Sequence, residues 1–520
     1  MKKLGRTKIL VIGNHPIDSI PFEQRGLTLE RIDIDQLNDI DLTNSACGIL
    51  LSFSPKKLPI INYFFRHCFY QACESGLMTA VYATVKKALV AKIRNRALIY
   101  FKVHADITDT RKREHQFDTS PWVQIGDQEC AIAEAMARYN PGPPINSSLK
   151  IITSGGPVYL NRETRILLKR AFYDCKRITV RKLDGGRTAK GTYCVLANLS
   201  NVIHGPQPMP FFVKVDYFNS IEKETFNYHE FVKPFIPFHL HPSLDNERGV
   251  RTLKTAALVG DFVENAVPLR DAMRVGQGDG AIFSLFETTL RGLRSHTIKG
   301  PKQPGVLEEF LTAKVRAYEI AKYHPSRIRF LRKYKMFRKP TEVEQVLISS
   351  AENIATQKGP YHGDLHYSNV MVRNRDAIII DFGSMGPFGP LYADPAILEV
   401  SLVFGTDNHD DPNSFNTWRK FVDYIFLDPL NPPLPKGDFP QFAWLHKAVR
   451  ELRHVVACCG VEEQEALTIL AGCLLRYGRN SPLKLASKRL DSLAESRRAY
   501  GLVVAYKICE RIEKKHAARE

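Results

Sequence analysis

Three side chains with oxygen donors lie close together in the sequence between residues 361 and 383: Asp364, Asn369 and Asp381. A carboxylate can orient or deprotonate a hydroxyl group. A carboxylate and an amide oxygen can together hold the magnesium ions that neutralise a triphosphate. These residue types therefore predict a phosphoryl-transfer site, with Asp364 as the residue that meets the acceptor and Asn369 and Asp381 as catalytic residues that also bind metal.

Two short apolar runs position these groups. Val370–Val372 and Ile378–Ile380 are rich in branched residues, and the polar segment 374–376 separates them. This pattern predicts a β-hairpin, with Asn369 at the start of its first strand and Asp381 just after its second. Strands hold side chains rigidly, which a site for phosphoryl transfer requires.

The motif His362-Gly363-Asp364-Leu-His-x-x-Asn369, followed by Ile-Asp381-Phe-Gly, resembles the aminoglycoside phosphotransferase and choline kinase group. It is also similar to the phosphotransferase-like bacterial modules called ternary-complex-associated domains. The resemblance implies a bilobal, protein-kinase-like α+β fold with ATP and Mg²⁺ as cofactors. It also implies that Asp394, at the start of the next predicted helix, steadies the loop. No Ala-Pro-Glu element follows, which disfavours an ordinary protein kinase.

In such a fold the nucleotide phosphates would meet a smaller lobe. The segment 184–191 is a Gly-rich turn between two predicted strands, which makes Gly185, Gly186 and Gly191 candidate cofactor-binding residues. An ordinary hairpin explains these glycines equally well, because they do not follow Gly-x-Gly-x-x-Gly. Lys214 lies in the next predicted strand and resembles the lysine that contacts the α- and β-phosphates. Glu224 falls in an apolar helical stripe and is its predicted ion-pair partner.

The first 140 residues alternate apolar runs with helical patterns, which predicts a parallel sheet wrapped by helices. Their order resembles a receiver or flavodoxin-like domain, but Leu51-Ser52-Phe53-Ser54 stands where a receiver has its acceptor aspartate. We therefore expect a binding or assembly domain. The predicted organisation is a receiver-like domain at 1–140, a linker at 141–160, a kinase-like small lobe at 161–270 and a mostly helical large lobe at 271–520.

The formal net charge of +18 favours an anionic partner such as a nucleotide. Nucleic acid is a further candidate that the spread of the charge does not favour, although Arg327–Lys339 is a local basic stretch. The acidic segment 404–412 could bind a cationic substrate, or could be an ordinary polar loop. No long apolar run or dense cysteine framework is present, which predicts a cytoplasmic protein with no membrane contact.

Two functions from different classes fit these observations. The first is an ATP- and Mg²⁺-dependent kinase that phosphorylates a hydroxyl group of an unidentified substrate, in bacterial signalling or defence. The second is a non-catalytic, nucleotide-sensing scaffold that recruits a protein partner through residues 1–140. Retention of Asp364, Asn369 and Asp381 favours the enzyme, whereas the irregular Gly-rich turn and the missing acceptor aspartate favour the scaffold.

Overall fold

The computed structural model describes most of the chain in two compact units. The first comprises Met1–Glu222 and Ser243–Phe262, and the second comprises Lys223–Pro242 and Val263–Glu520. No helix among the described residues is long and apolar enough to cross a membrane. The described residues are 7–13, 16–33, 36, 46–52, 78–82, 123–126, 129–138, 142–155, 159–183, 189–199, 209–252, 255–298, 300–316, 323–406, 409–431, 433, 439–479 and 493–517.

The first unit begins with a five-stranded parallel sheet in the order β2-β1-β3-β4-β5. Its strands are β1 Lys8–Ile12, β2 Thr28–Ile32, β3 Gly48–Ser52, β4 Met78–Tyr82 and β5 Val123–Gly126, and its described helices are α1 Ile20–Glu23 and α2 Glu129–Arg138. Every residue of β3 is buried, as expected for a central parallel strand covered on both faces. The predicted parallel sheet is confirmed. The predicted helix at 61–73 and strand at 97–103 lie outside the described residues.

A second, six-stranded sheet of the first unit has the order β10-β11-β9-β8-β7-β6. These strands are β6 Lys150–Thr153, β7 Cys175–Lys182, β8 Gly191–Leu199, β9 Met209–Tyr217, β10 Val250–Arg251 and β11 Thr255–Asp261. The helix α3 (Arg162–Ala171) packs on the sheet through buried Leu167 and Leu168. As predicted, Asn161 begins this helix, and its side-chain oxygen accepts from the Thr164 N–H at 2.8 Å.

The segment predicted as a linker, 141–160, is attached to this second sheet. β6 pairs in parallel with β7, and the Asn146 side chain donates to the carbonyls of Tyr173 and Cys175, both at 2.9 Å. The described residues of this segment are therefore folded as part of the second sheet.

The second unit contains two three-stranded sheets and most of the helices. Its strands are β12 Val267–Pro268, β13 Lys302–Gln303, β14 Thr356–Tyr361, β15 Val370–Arg373, β16 Asp376–Ile379 and β17 Gly386–Pro390. Its helices, with α4 beginning in the first unit, are α4 Phe218–Asn227, α5 Leu269–Arg274, α6 Ala281–Ser284, α7 Arg291–Ile298, α8 Val306–Lys314, α9 Pro325–Lys333, α10 Pro340–Ala351, α11 Ala393–Phe404, α12 Phe415–Ile425, α13 Ala443–Ala457, α14 Glu463–Arg479 and α15 Leu493–Ala517. The large predicted lobe is thus mostly helical where the structure describes it.

Two buried arginines hold this helical core. Arg453 of α13 pairs with Glu399 of α11 at 2.6 Å, and both side chains are almost fully buried. Arg327 of α9 pairs with Glu495 of α15 at 2.5 Å and has no exposed side-chain surface. Arg327 is therefore part of the core and not of a surface patch for an anionic partner. Replacing one partner of such a buried ion pair lowers the free energy of unfolding by about 3–5 kcal/mol.

Candidate active site

The hairpin predicted to carry the site is present. β15 and β16 are antiparallel with Val370 opposite Ile379, and Asn374 has the positive φ of 59° that such a tight turn requires. The Ile380 N–H extends the ladder by donating to the Asn369 carbonyl at 3.0 Å. Asn369 and Asp381 therefore flank the same end of one rigid hairpin.

The loop before the hairpin depends on Gly363. Its φ is +76°, and a Cβ at this position would lie 2.4 Å from the backbone oxygen of Ser384. Both observations require glycine, because other residues disfavour this φ and a methyl group would overlap the carbonyl. The Gly of His-Gly-Asp thus lets the loop of Asp364 lie directly against the segment that follows Asp381.

Asp394, in the first turn of α11, holds this loop from the other side. Its carboxylate accepts from the His362 N–H at 2.7 Å and from the Gly363 N–H at 2.9 Å. The residue is buried, and burial raises the pKa of its carboxyl, while the charge of His362 and the two N–H bonds act in the opposite direction. The expectation that Asp394 steadies the loop is confirmed.

Asp364 and Asn369 occupy different environments within the loop. The Asp364 side chain is 42% exposed, so its carboxylate can be reached from solvent. Asn369 is buried, and its amide nitrogen donates to the Asp364 carbonyl at 2.9 Å. Since the amide nitrogen is committed to that bond, the amide oxygen is the atom of Asn369 that can face a cation.

Asp381 has a left-handed backbone with φ 65°, which is uncommon for a residue other than glycine. The next residue, Phe382, is held by two side chains of α4. Glu224 accepts from its N–H at 3.3 Å, and Asn227 donates to its carbonyl at 2.8 Å. Its buried ring lies 5.7 Å from the ring of Tyr228. These contacts of the neighbouring residue hold the strained turn at Asp381 in place.

The sequence pattern predicted Glu224 as a site residue but Asn227 was not predicted. Both side chains are buried, at 3% exposure each, although both are polar. They are three residues apart, so they share one face of α4. A second polar residue within the same apolar stripe was the signal that could have identified Asn227.

The oxygen donors of this site fit a magnesium ion. Asp381 supplies a carboxylate and Asn369 an amide oxygen, and Mg²⁺ uses one or two such protein ligands together with phosphate oxygens and water. The described residues contain no cluster of three or more His, Cys, Asp or Glu side chains arranged to bind a metal.

Two cations near Asp364 were not anticipated. Arg476 of α14 places Nη2 3.8 Å from Asp364 Oδ1, and Lys314 of α8 lies over the Tyr361 ring with Nζ 5.5 Å from its centroid. The helices α8 and α14 meet at Gly472, where a Cβ would lie 2.5 Å from a methyl carbon of Leu311. Burial lowers the pKa of Lys314, and the charges of Arg476 and Lys223 lower it further.

The acidic segment 404–412 does not present Asp410 to a cationic substrate. Asp410 is nearly buried and pairs with Arg270 at 3.0 Å, with Arg274 at 3.4 Å and with Arg497 at 3.4 Å. Its carboxylate is surrounded by more positive charge than it can neutralise. Asp407 lies outside the described residues.

The predicted nucleotide-side residues of the first unit are placed as follows. Lys214 lies in β9 between β8 and β11 and is 8% exposed, so it is not the surface residue of an edge strand. Gly191 belongs to β8, opposite Val215, and not to the turn before it. Gly185 and Gly186 lie outside the described residues.

Comparisons with known proteins give distant likenesses in structure alone. No family model and no curated protein sequence matches the chain. A thermostable mutant of aminoglycoside phosphotransferase APH(4)-Ia, in its apo form, is 13% identical with a TM-score of 0.37 over 64% of this chain and 94% of that chain.

Two other solved structures are similar at the same level. Amicoumacin kinase hAmiN, in complex with AMP-PNP, Ca²⁺ and Ami, is 12% identical with a TM-score of 0.31 over 65% of this chain and 88% of that chain. A putative fructosamine-3-kinase from Haemophilus somnus is 11% identical with a TM-score of 0.32 over 63% of this chain and 90% of that chain. At these scores the likenesses do not assign a fold to the chain.

Proposed function

We propose that this chain is an ATP- and Mg²⁺-dependent phosphotransferase with a protein-kinase-like site that transfers the γ-phosphate to a hydroxyl group. The observation that carries the proposal is the second unit's loop and hairpin. There an exposed Asp364, a buried Asn369 and a conformationally constrained Asp381 are held by contacts from α4 and α11. Such fixed positioning is the main contribution that a protein makes to phosphoryl transfer.

Each residue has a distinct role in the proposal. Asp364 accepts the hydrogen bond of the acceptor hydroxyl and orients its oxygen toward the phosphate. The Asn369 amide oxygen and the Asp381 carboxylate would hold Mg²⁺, which neutralises the charge of the phosphates when it is bound. Glu224 and Asn227 keep Asp381 in its left-handed conformation through Phe382.

Lys214 stays a candidate nucleotide-binding residue. It is a buried lysine on a central strand, and a lysine ammonium suits a contact with the α- and β-phosphates. Gly185, Gly186 and Gly191 stay candidate cofactor-binding residues, with the turn acting through backbone N–H groups. We propose residues 161–270 as the small lobe and 271–520 as the large lobe of this enzyme.

We propose that residues 1–140 are a receiver-like domain that binds a protein partner. The strand order β2-β1-β3-β4-β5 is that of flavodoxin-like sheets and supports this assignment. Ser52, buried at the end of β3, stands near the position of a receiver's phosphorylated aspartate and argues against phosphoacceptor chemistry. The cytoplasmic location stays a prediction from cysteine usage.

The test of the main proposal uses the different roles of Asp364 and Asp381. Asp381→Asn should weaken Mg²⁺-dependent ATP binding, measured by calorimetry with and without Mg²⁺. Asp364→Asn should leave that affinity nearly unchanged and lower phosphate transfer by about a hundredfold or more, because a positioned proton acceptor is lost.

A non-catalytic, nucleotide-sensing scaffold predicts a different result. In that case Asp364→Asn would leave cellular function unchanged in every assay in which Asp381→Asn reduces it. A fully functional Asp364→Asn protein would therefore refute the proposed enzymatic function and support nucleotide sensing instead.

A further inference from the structure

The acceptor side of Asp364 is lined by positive charge. Arg476 approaches the carboxylate to 3.8 Å, and His366 Nε2 lies 3.9 Å from its other oxygen. Lys314 lies over the adjacent Tyr361 ring. Lys223, exposed on α4, acts electrostatically on Lys314. An acceptor that docks on Asp364 therefore meets several cationic or protonatable groups at once.

The described carboxylates near Arg476 and Lys314, which are Asp364 and Asp394, offset their positive charge only in part. The distance from Arg476 to Asp364 is too long for a hydrogen bond, so the guanidinium donors are not committed to it. Lys314 forms no ion pair with any carboxylate in the described part of the chain, although burial lowers its pKa. The other nearby carboxylate, Asp394, is buried and already accepts two backbone N–H groups.

The two central cations have fixed positions. They project from neighbouring helices that pack closely at Gly472, next to Leu311 and Val315. Lys314 follows Leu311 by one helical turn, and Arg476 follows Gly472 by one turn. A pair of long side chains anchored in this way loses less conformational entropy on binding than two mobile surface residues would.

We infer that the acceptor is an alcohol that itself carries an anionic group, a phosphate or a carboxylate, which Arg476 and Lys314 bind while Asp364 holds the hydroxyl. This inference rests on the proposed phosphotransferase function and specifies its substrate class. The commitment of Asp410 to three arginines supports it, because the acidic segment then offers that carboxylate to no cationic substrate.

The geometry also limits the size of the substrate. The acceptor oxygen lies within hydrogen-bond reach of Asp364, and Arg476 is 3.8 Å from the same carboxylate. If the hydroxyl binds the Asp364 oxygen nearest Arg476, one hydrogen bond at each end puts the anionic group within roughly 9 Å of the reacting hydroxyl. One compact skeleton, such as a hydroxy acid or a sugar phosphate, satisfies this limit.

The first arm of the test measures binding and needs no turnover. Inorganic phosphate is titrated by calorimetry into the full-length protein saturated with Mg²⁺ and AMP-PNP, a non-hydrolysable ATP analogue. Arg476→Gln and Lys314→Met should each weaken phosphate binding by about tenfold or more, since each removes a charge-assisted contact. The affinity for AMP-PNP should not change.

Arg419→Gln is the matched control. Arg419 is similarly exposed, at 31% against 25% for Arg476, and pairs with Asp423 at 3.4 Å on α12. The Arg419→Gln variant should bind phosphate with the same affinity as the wild-type protein. Absence of phosphate binding by the wild type, or equal binding by all variants, would overturn the inference. A parallel loss of AMP-PNP binding would also overturn it, because the cations would then serve the nucleotide.

The second arm measures ADP release with matched alcohols. Glycerate, glycerol and 2-amino-1,3-propanediol form one set, and glucose 6-phosphate, glucose and glucosamine form another. Turnover should favour the anionic member, and Arg476→Gln should raise its KM more than it lowers kcat. Turnover of the amino alcohols instead would overturn the anionic class but not the phosphotransferase. If the protein bound phosphate but transferred no phosphoryl group to any of these alcohols, the anion site would be supported and the proposed phosphotransferase function would be contradicted.

Discussion

Replacement of Gly363 by alanine tests whether the catalytic loop and the segment after Asp381 form one rigid contact. Two separate costs follow from the structure. The φ of +76° is unfavourable for alanine, and the new Cβ would lie 2.4 Å from the Ser384 oxygen. The first cost is a property of the backbone alone, whereas the second depends on what surrounds it.

The magnitudes can be worked out separately. A left-handed conformation costs alanine about 1–2 kcal/mol, part of which is offset by the lower entropy of its unfolded chain. The carbon–oxygen contact must open by about 1 Å to reach an ordinary separation, and such overpacking costs about 1–3 kcal/mol. The total loss in free energy of unfolding should be about 2–4 kcal/mol. A displacement of about 1 Å at Asp364 should also slow transfer roughly a hundredfold.

Gly460→Ala separates the two costs. Its φ is +68°, and nothing lies within 4 Å of its ideal Cβ, so only the backbone cost applies. Urea denaturation can be followed by the fluorescence of Trp418, which is fully buried in the second unit. Gly363→Ala should lose about 2 kcal/mol more than Gly460→Ala, the part due to overpacking. Equal losses for the two variants would refute the rigid contact with Ser384.

Two further predictions concern buried polar groups of the second unit. Burial raises the pKa of Glu465 from 4.5 to about 7, so its contribution to stability is present below pH 4.5 and is lost as the pH rises through about 7. Glu465→Gln should therefore unfold like the wild type at pH 4.5 and be up to about 3 kcal/mol more stable at pH 8. Glu463→Gln is the control, because the Glu463 carboxyl has a lowered pKa beside Lys515, and this variant should not gain stability at pH 8. If the stability difference between Glu465→Gln and the wild type did not change with pH, the prediction would be wrong. Asn227→Ala should lose about 1–3 kcal/mol of stability and weaken Mg²⁺-dependent nucleotide binding, because the Phe382 carbonyl loses its donor next to Asp381. Phe226→Ala, at an exposed position of the same helix, should change neither property, and unchanged nucleotide affinity in Asn227→Ala would exclude a supporting role for Asn227.

Local signals in the sequence predicted the elements around the candidate site well. The hairpin follows from two apolar runs and the turn at Asn374, and the burial of Glu224 follows from its place in an apolar helical stripe. The role of Asp394 was predicted from the resemblance to the phosphotransferase group, in which an aspartate begins the helix after Asp-Phe-Gly. In each case the deciding neighbours are close in sequence, or a motif specifies them.

Features that depend on distant partners were not predictable in this way. The strand β6 was not predicted, because it is an edge strand with one partly buried apolar residue, Ile151, and its partner β7 follows a whole helix later. Arg476 lies on a helix far from Asp364 in sequence, and no motif connects the two. The neutralisation of Asp410 likewise requires arginines from two separate helices, α5 and α15, which are distant in sequence.

The bonds from Asp394 to His362 and Gly363 have a consequence for how the protein opens. Amide hydrogens in a loop normally exchange with solvent quickly, because loops fluctuate locally. Here the two acceptor atoms belong to α11, a helix whose residues are almost all buried. Exchange at these two amides should therefore be as slow as exchange in the helical core. The loop that carries Asp364 should keep its shape until that core melts, so heat inactivation should coincide with unfolding of the second unit.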